Sequence, residues 1–271
     1  FEFAHVALRA GAEVTILHRN RRPLQQFETD LVAELLAASE AAGIRVVLAT
    51  RGIRIEADGD GLQVHWEDDQ GPAVCPVDAA FHGAGREAAL ASLDLAAGGV
   101  DFNPGGVAVT ASLQSVSNPR VYAVGDAADT AHKLAPVADR EAEVAARNIL
   151  TGGTDTFQGA VVPSVVFTLP PMASVGLGES EARAQSGAVT VHQGSAAGWP
   201  SSRRIGQQTA AYKVILTPDS GRILGAHLLG HSAGEMINIF ALAMQQGLTA
   251  TQLKAMLWAY PTHISDIKYM L

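Results

Sequence analysis

Val121-Tyr122-Ala123-Val124-Gly125-Asp126 constrains this chain more than any other stretch. A continuous apolar run of strand-forming residues marks a strand buried on both faces, as in a parallel sheet. The run stops at Gly-Asp, a loop spans 127–135, and apolar residues then recur at helical spacing from Pro136 to Leu150, with Val137, Val144, Ala145 and Ile149 as the stripe. Proline suits the first turn of a helix, and Thr151-Gly152-Gly153 supplies its stop. In open α/β sheets, ligands sit beyond the carboxyl ends of the strands. At such a place Gly125 lets a ligand approach the backbone, and the Asp126 carboxylate accepts hydrogen bonds from sugar-type hydroxyls. The helix start at Leu134-Ala135-Pro136 offers N–H groups and a dipole that favour negative charge. A lone Gly-Asp also reads as a polar turn; the helix behind it is what favours a ligand site.

Upstream, helix and strand alternate. Phe1–Ala10 reads as a helix closed by Gly11, residues 13–18 as a strand, 27–42 as a helix closed by Gly43, and 44–48 as a second strand. Residues 52–57, 61–67 and 72–77 then alternate in polarity between turn signals at 59–61 and 68–71, an antiparallel meander. A Rossmann unit places a strand and a Gly-rich turn before its first helix. Neither precedes Phe1.

The residue ending the second Rossmann strand separates NAD from NADP: a carboxylate accepts from the ribose 2′-hydroxyl, whereas arginine nearby accommodates a 2′-phosphate. Here Val14-Thr15-Ile16-Leu17 runs into His18-Arg19-Asn20-Arg21-Arg22, and no carboxylate follows before Glu28. Arg19, Arg21 and Arg22 are the candidates for a bidentate phosphate contact. The other reading is a solvated basic loop.

Residues 152–159 are polar and lack periodicity, and the pattern after them changes. Strand-like runs at 164–168, 188–193, 210–216 and 223–229, with Pro218-Asp219-Ser220-Gly221 as a hairpin turn, precede helices at 232–246 and 251–257. This is an α+β arrangement. The first of these helices is apolar on more than one side, through Met236, Ile237, Ile239, Phe240, Leu242, Ala243 and Met244, which suits a core helix or a subunit interface.

Composition excludes several classes. A net charge of −8 argues against nucleic acid or an anionic membrane as partner. No apolar stretch reaches the roughly 18 residues of a membrane span. The single cysteine, Cys75, excludes an internal disulfide, fits a reducing, cytoplasmic setting, and reads as a small buried apolar residue. No metal centre is expected.

Several short segments, in this order, resemble the pyridine nucleotide-disulfide oxidoreductases, the family of glutathione reductase, lipoamide dehydrogenase and mercuric reductase. They are His82-Gly83-Ala84-Gly85-Arg86, Val121–Asp126, Leu134–Ala138, Pro163–Thr168, Ala173–Leu177, Leu224–His227, Ala233–Ile237 and Tyr260-Pro261-Thr262. The ending Ser265–Leu271 gives the resemblance a glutathione-reductase flavour. The resemblance implies an α/β fold: part of a Rossmann-type NAD(P)-binding domain at 1–109, the end of an FAD domain at 110–151, and an α+β dimerisation domain at 160–271, forming a homodimer. It implies that the Rossmann unit is cut inside its first helix and that the chain is the carboxyl-terminal part of a longer protein, with the FAD fingerprint and paired redox cysteines further upstream. It implies FAD held by Gly125, Asp126, Leu134, Ala135 and Pro136, with Gly83, Gly85 and Arg86 at the strand end before the return to the flavin domain. Arg19 falls where NADPH-dependent members carry arginine; their second arginine is replaced by Gln25, with Arg21 and Arg22 as substitutes. The implied activity is hydride transfer from NADPH to FAD and on to a disulfide, that is, to a small-molecule substrate. Two alternatives are an NAD(P)H oxidase or quinone reductase without a redox disulfide, and a non-catalytic dimeric nucleotide-binding protein.

The family's acid–base histidine before Pro-Thr is Tyr260 here, and the glutamate that holds it is Ser265, with Asp266 next. Tyrosine, with an ordinary pKa of about 10, donates a proton but is a poor base near neutrality. His263 and Asp266 are spaced for a turn in which the carboxylate orients the imidazole. A packing role for Tyr260 and a surface or interface role for His263 stand beside this catalytic reading. The resemblance also suggests a cis Tyr260–Pro261 bond.

Overall fold

The computed structural model describes residues 1–59, 61–157 and 161–271; Asp60 of the expected meander turn, 158–159 of the expected linker and residue 160 at the start of the expected dimerisation domain lie outside them. The chain forms two units, one from Phe1–Ala80 with Val161–Leu271, the other from Phe81–Ala160.

In the first unit, α1 (Glu2–Arg9) leads to β1 (Thr15–Leu17), which pairs in parallel with β2 (Arg45–Val47) across α2 (Thr29–Ala41). The expected meander forms as β3 (Arg51–Asp58), β4 (Gly61–Asp68) and β5 (Gly71–Val77), all antiparallel. Its central strand alternates as a half-buried strand must: Val64 and Trp66 are buried and Glu67 is exposed.

The second unit holds a two-stranded hairpin, β6 (Phe102–Asn103) with β7 (Gly106–Val107), and α3 (Ala135–Thr151). Gly152 stops α3 in the left-handed conformation, with φ +64°. Val137, Val144 and Ala145 of the expected stripe are buried, but Ile149 is exposed, and Glu141 and Asn148 take buried places on the stripe. Residues 121–124 do not form the expected buried parallel strand. They make one antiparallel bridge, Gln114↔Tyr122. The hydrogen bonds of that bridge are Ser115 N–H to Val121 O and Ala123 N–H to Leu113 O. Apolar sequence specifies burial, and here a single antiparallel bridge supplies backbone hydrogen bonds where a parallel ladder was expected.

The last segment completes the first unit. Five antiparallel strands lie in the order β10-β11-β12-β9-β8: β8 (Ser164–Val166), β9 (Met172–Gly176), β10 (Thr190–Ser195), β11 (Ala211–Leu216) and β12 (Ile223–Leu229). The helices are α4 (Glu179–Ser186), α5 (Pro200–Arg204), α6 (Ala233–Gln245), α7 (Ala250–Lys254) and α8 (Ile267–Met270). Successive strand residues face opposite ways. Ala173, Val175, Val214, Leu216, Ala226 and Leu228 pack with Met236, Ile237 and Phe240 of α6. Met172, Ala211 and Leu229 face the other way and pack with Phe27, Leu31, Val32 and Leu35 at and in α2. α2 and α6 thus cover opposite faces of one sheet. Much of the apolar surface of α6 is core surface, while its Leu242 stays exposed.

Candidate functional site

The Gly125-Asp126 turn is built by α3. Gly125 has φ +59°, and a Cβ there would come within 2.9 Å of the Ala138 Cβ. Glycine is therefore needed for the left-handed turn and for the approach of the helix, in addition to any ligand. Gly125 N–H donates to Oε2 of Glu141 at 2.6 Å, and Glu141 is fully buried. Ala138 and Glu141 lie three residues apart, on one helix face. The turn they hold presents Asp126 half-exposed, with its Oδ2 2.9 Å from Nη2 of the exposed Arg86. Two expected site residues from separate motifs thus meet. Gly83 and Gly85 are exposed, with open space where a side chain would stand. α3 begins at Ala135 after Leu134, with no side-chain cap and with Pro136 in its first turn. Lys133, which the sequence reading passed over, closes the preceding loop by donating to the carbonyls of Gly105 and Ala128.

The basic loop follows β1. Arg22 donates to the carbonyls of Gln25, at 3.0 Å, and Phe27, at 2.6 Å, so it is committed to shaping the loop. Arg21 is paired with Asp69 at 2.7 Å, both side chains exposed. Arg19 is exposed and makes no ion pair or side-chain hydrogen bond among the described residues. At the strand end, Thr50 N–H donates to His18 O, and both His18 Nε2 and Thr50 Oγ1 are buried without a hydrogen-bond partner among the described residues. Burial lowers the pKa of His18, against a bond to the backbone of Arg22 that raises it.

Near the carboxyl end, Tyr260–Pro261 is cis, and Tyr260 is exposed. Lys268 Nζ lies 5.8 Å from the centroid of its ring. Ser265 is buried and closes its own turn, donating to Thr262 O at 2.6 Å and accepting from Thr262 N–H. The Asp266 carboxylate, also buried, accepts from Ser201 Oγ, and no side-chain hydrogen bond joins it to His263 among the described residues. His263 instead lies beside His231, ring centroids 5.7 Å apart, at a cavity of about 30 Å³ that Ser202, Gln207 and Asp266 also line. Its Nε2 is buried without a partner, and burial first, then the charges of His231 and Arg204, lower its pKa against the pull of Asp266. No group of three or more His, Cys, Asp or Glu side chains among the described residues is placed to hold a metal ion.

The sequence reading also missed Glu141 and the buried Lys213, which sits among three carboxylates. Glu141 left a signal: a carboxylate on an apolar helical stripe. Lys213 left none, since its partners lie 34 to 185 residues away.

The site elements are a parallel strand pair crossed by a helix, a Gly-Asp turn mounted on a helix, and an antiparallel sheet with covering helices. Residues 1–142 match the pyridine nucleotide-disulphide oxidoreductase family, and 162–271 match its dimerisation domain. The chain belongs to the pyridine nucleotide-disulphide oxidoreductase family. It is similar to an uncharacterised 19.7 kDa protein in a mercuric resistance operon of Staphylococcus aureus, 43% identical over 180 residues, 66% of this chain and 100% of that one. It is 31% identical to the mercuric reductase of Shewanella putrefaciens over 98% of this chain and 47% of the relative. Among solved structures, the HOCl-induced flavoprotein disulfide reductase RclA from Escherichia coli superposes with a TM-score of 0.88 at 26% identity, over 99% of this chain and 61% of that one. The chain spans about half the length of the mercuric reductases it matches.

Proposed function

We propose that this chain serves an FAD-dependent, NADPH-preferring oxidoreductase, with residues 1–109 as its NAD(P) segment, 110–151 as the end of its FAD segment, and 160–271 as its dimerisation segment. The observation that carries the reading is the Arg86–Asp126 pair on a turn fixed by Gly125 and Glu141. A half-exposed carboxylate beside a guanidinium, next to an uncapped helix start, suits a polyhydroxy, anionic ligand such as the flavin's ribityl phosphate chain. FAD, when bound, supplies acceptance of hydride from the nicotinamide. Asp126 would accept from ribityl hydroxyls, the residues at 134–136 would face negative charge, and Gly83 and Gly85 leave room for close approach. The test is bleaching of the oxidised flavin band when NADPH is added to the purified intact protein; a flavin that stays oxidised would leave only a nucleotide-binding role.

Arg19 supports the NADP preference, because Arg21 and Arg22 have other partners. Arg19→Glu is expected to lower the ratio of kcat/KM for NADPH over NADH on the order of tenfold, one charge-assisted contact being worth about 1.5–3 kcal/mol. An unchanged ratio would place Arg19 outside the pocket.

The dimerisation-domain match and the exposed Phe167, Met256, Leu257 and Tyr260 support a homodimer through 160–271. No helix among the described residues is long and apolar enough to cross a membrane. The lone Cys75 suits a reducing, cytoplasmic setting.

The arrangement around Tyr260 favours a second reading of the acceptor. Reducing a disulfide requires a proton for the leaving thiolate. Tyr260 replaces the histidine, Ser265 is used in its own turn, and Asp266 is held by Ser201. These suit an acceptor with no leaving thiolate: a quinone, or a metal ion as the mercuric reductases' name describes. Tyr260→Phe and His263→Ala, assayed on glutathione disulfide, a quinone and Hg(II), separate the readings. A fall of at least tenfold on the disulfide alone in Tyr260→Phe makes Tyr260 the proton donor; full turnover on the disulfide in both variants removes both residues from proton transfer.

A further inference from the structure

Lys213, in the middle of β11, is almost completely buried, and its ammonium is surrounded by carboxylates. Nζ lies 2.9 Å from Glu28 Oε2, 2.6 Å from Asp30 Oδ2 and 3.0 Å from Glu179 Oε2. Two of these acids stand at the start of α2, and the third opens α4. Glu28 is engaged twice, because its Oε1 accepts the Glu179 N–H at 2.8 Å. Arg183 offsets part of the negative charge through Glu179. A charge this buried persists only when paired and hydrogen-bonded.

The residues just before Glu28 are fixed as well. Phe27 is buried against Met172, Ala211 and Leu229. Its N–H donates to Leu24 O, Leu24 has φ +48° in the left-handed region, and Arg22 clamps the carbonyls of Gln25 and Phe27. A continuous set of contacts therefore runs from the dimerisation sheet, through Lys213 and the start of α2, to the loop that carries Arg19.

We propose that Lys213 is a positioning residue for coenzyme selection: by holding Glu28 and Asp30 it sets the loop 18–22, and so the guanidinium of Arg19, for a 2′-phosphate. The proposal rests on the NADP reading of that loop. A loop set before binding loses less freedom when the ligand arrives, and misplacing it costs affinity for the group it contacts rather than for the whole coenzyme.

The test is calorimetric titration of the intact protein with 2′,5′-ADP and with 5′-AMP. For Lys213→Met, binding of 2′,5′-ADP is expected to weaken on the order of tenfold, and that of 5′-AMP by less than about threefold. Lys213→Arg keeps the charge and is expected to recover most of the difference. Asp30→Asn, at the half-exposed side of the cluster, is expected to fall between, and it carries the test if Lys213→Met does not fold. A wild-type protein that discriminates between the two ligands, with variants that discriminate equally well, overturns the positioning role alone. Equal weakening of both ligands also overturns it, since that is general disorder. A wild-type protein that binds the two ligands alike overturns the NADP reading and this proposal with it.

Discussion

Replacing Lys213 by methionine is expected to cost about 3–5 kcal/mol of stability at pH 7, the cost of leaving buried charges without their partner. The pH dependence identifies the cause. Burial pulls the Lys213 ammonium down, but the three carboxylates outweigh it and its pKa is raised. A raised basic group contributes stability that is fully present below its unfolded value of about 10.4 and is lost only as pH climbs through the folded value. Burial pushes Asp30 up most strongly, but the Lys213 hydrogen bond and charge, a backbone hydrogen bond and a hydrogen bond with Glu28 together outweigh it, and the net shift is down; Glu179 is lowered by Arg183 first and by Lys213 next. Lowered carboxylates contribute stability above their ordinary values, and lose it as pH falls through the folded ones. In the wild type this cluster is therefore steady across neutral pH. In the methionine variant, burial of Asp30 loses its largest opponent and keeps only the backbone hydrogen bond and the hydrogen bond with Glu28 against it, so protonation becomes easier. His227, cross-strand from Lys213, is held down by burial first and in part by the lysine, so losing the ammonium eases its protonation too. The stability gap between variant and wild type is expected to narrow from pH 7 to pH 5 in denaturant titrations. A gap that stays constant would show that the loss is one of packing.

Asp126→Ala is expected to weaken flavin retention in the intact protein by about 1.5–3 kcal/mol, the worth of a hydrogen bond to a charged group. The measurement is the fluorescence of flavin released on dilution. Asp126→Asn keeps the shape and one acceptor oxygen, and should lie between alanine and wild type. If the alanine variant holds flavin as the wild type does, the role of Asp126 ends at its pair with Arg86.

Local pattern was legible wherever one element decided its own shape. The periodicity of α2 and α3, the turn glycines of the meander and the hairpin at 218–221 were read within a few residues of where they lie. The cis Tyr260–Pro261 bond is present, as the family resemblance suggested. β9 was missed as a strand because Met172-Ala173-Ser174-Val175-Gly176 carries little strand preference. Glycines where it pairs with β12 serve close packing: a Cβ on Gly176 would come within 2.3 Å of Leu224 O, and one on Gly225 of β12 within 2.0 Å of Leu177 O. α4 was missed because only Ala182 of its face is buried, leaving no stripe. At the candidate site, residue types were readable but commitments were not. Three arginines look alike in a string, and only coordinates show that two already have partners.

The two-sided covering of the dimerisation sheet bears on how such proteins can be recombined. A chimera that transplants 161–271 alone would carry Met172, Ala211 and Leu229 to a host without Phe27, Leu31 and Leu35 to lie on them. It would also bring Lys213 without Glu28 and Asp30. The unit of exchange in this fold is the sheet together with α2, two stretches far apart in the gene, so crossover points placed between sequence-defined domains would cut through a shared core.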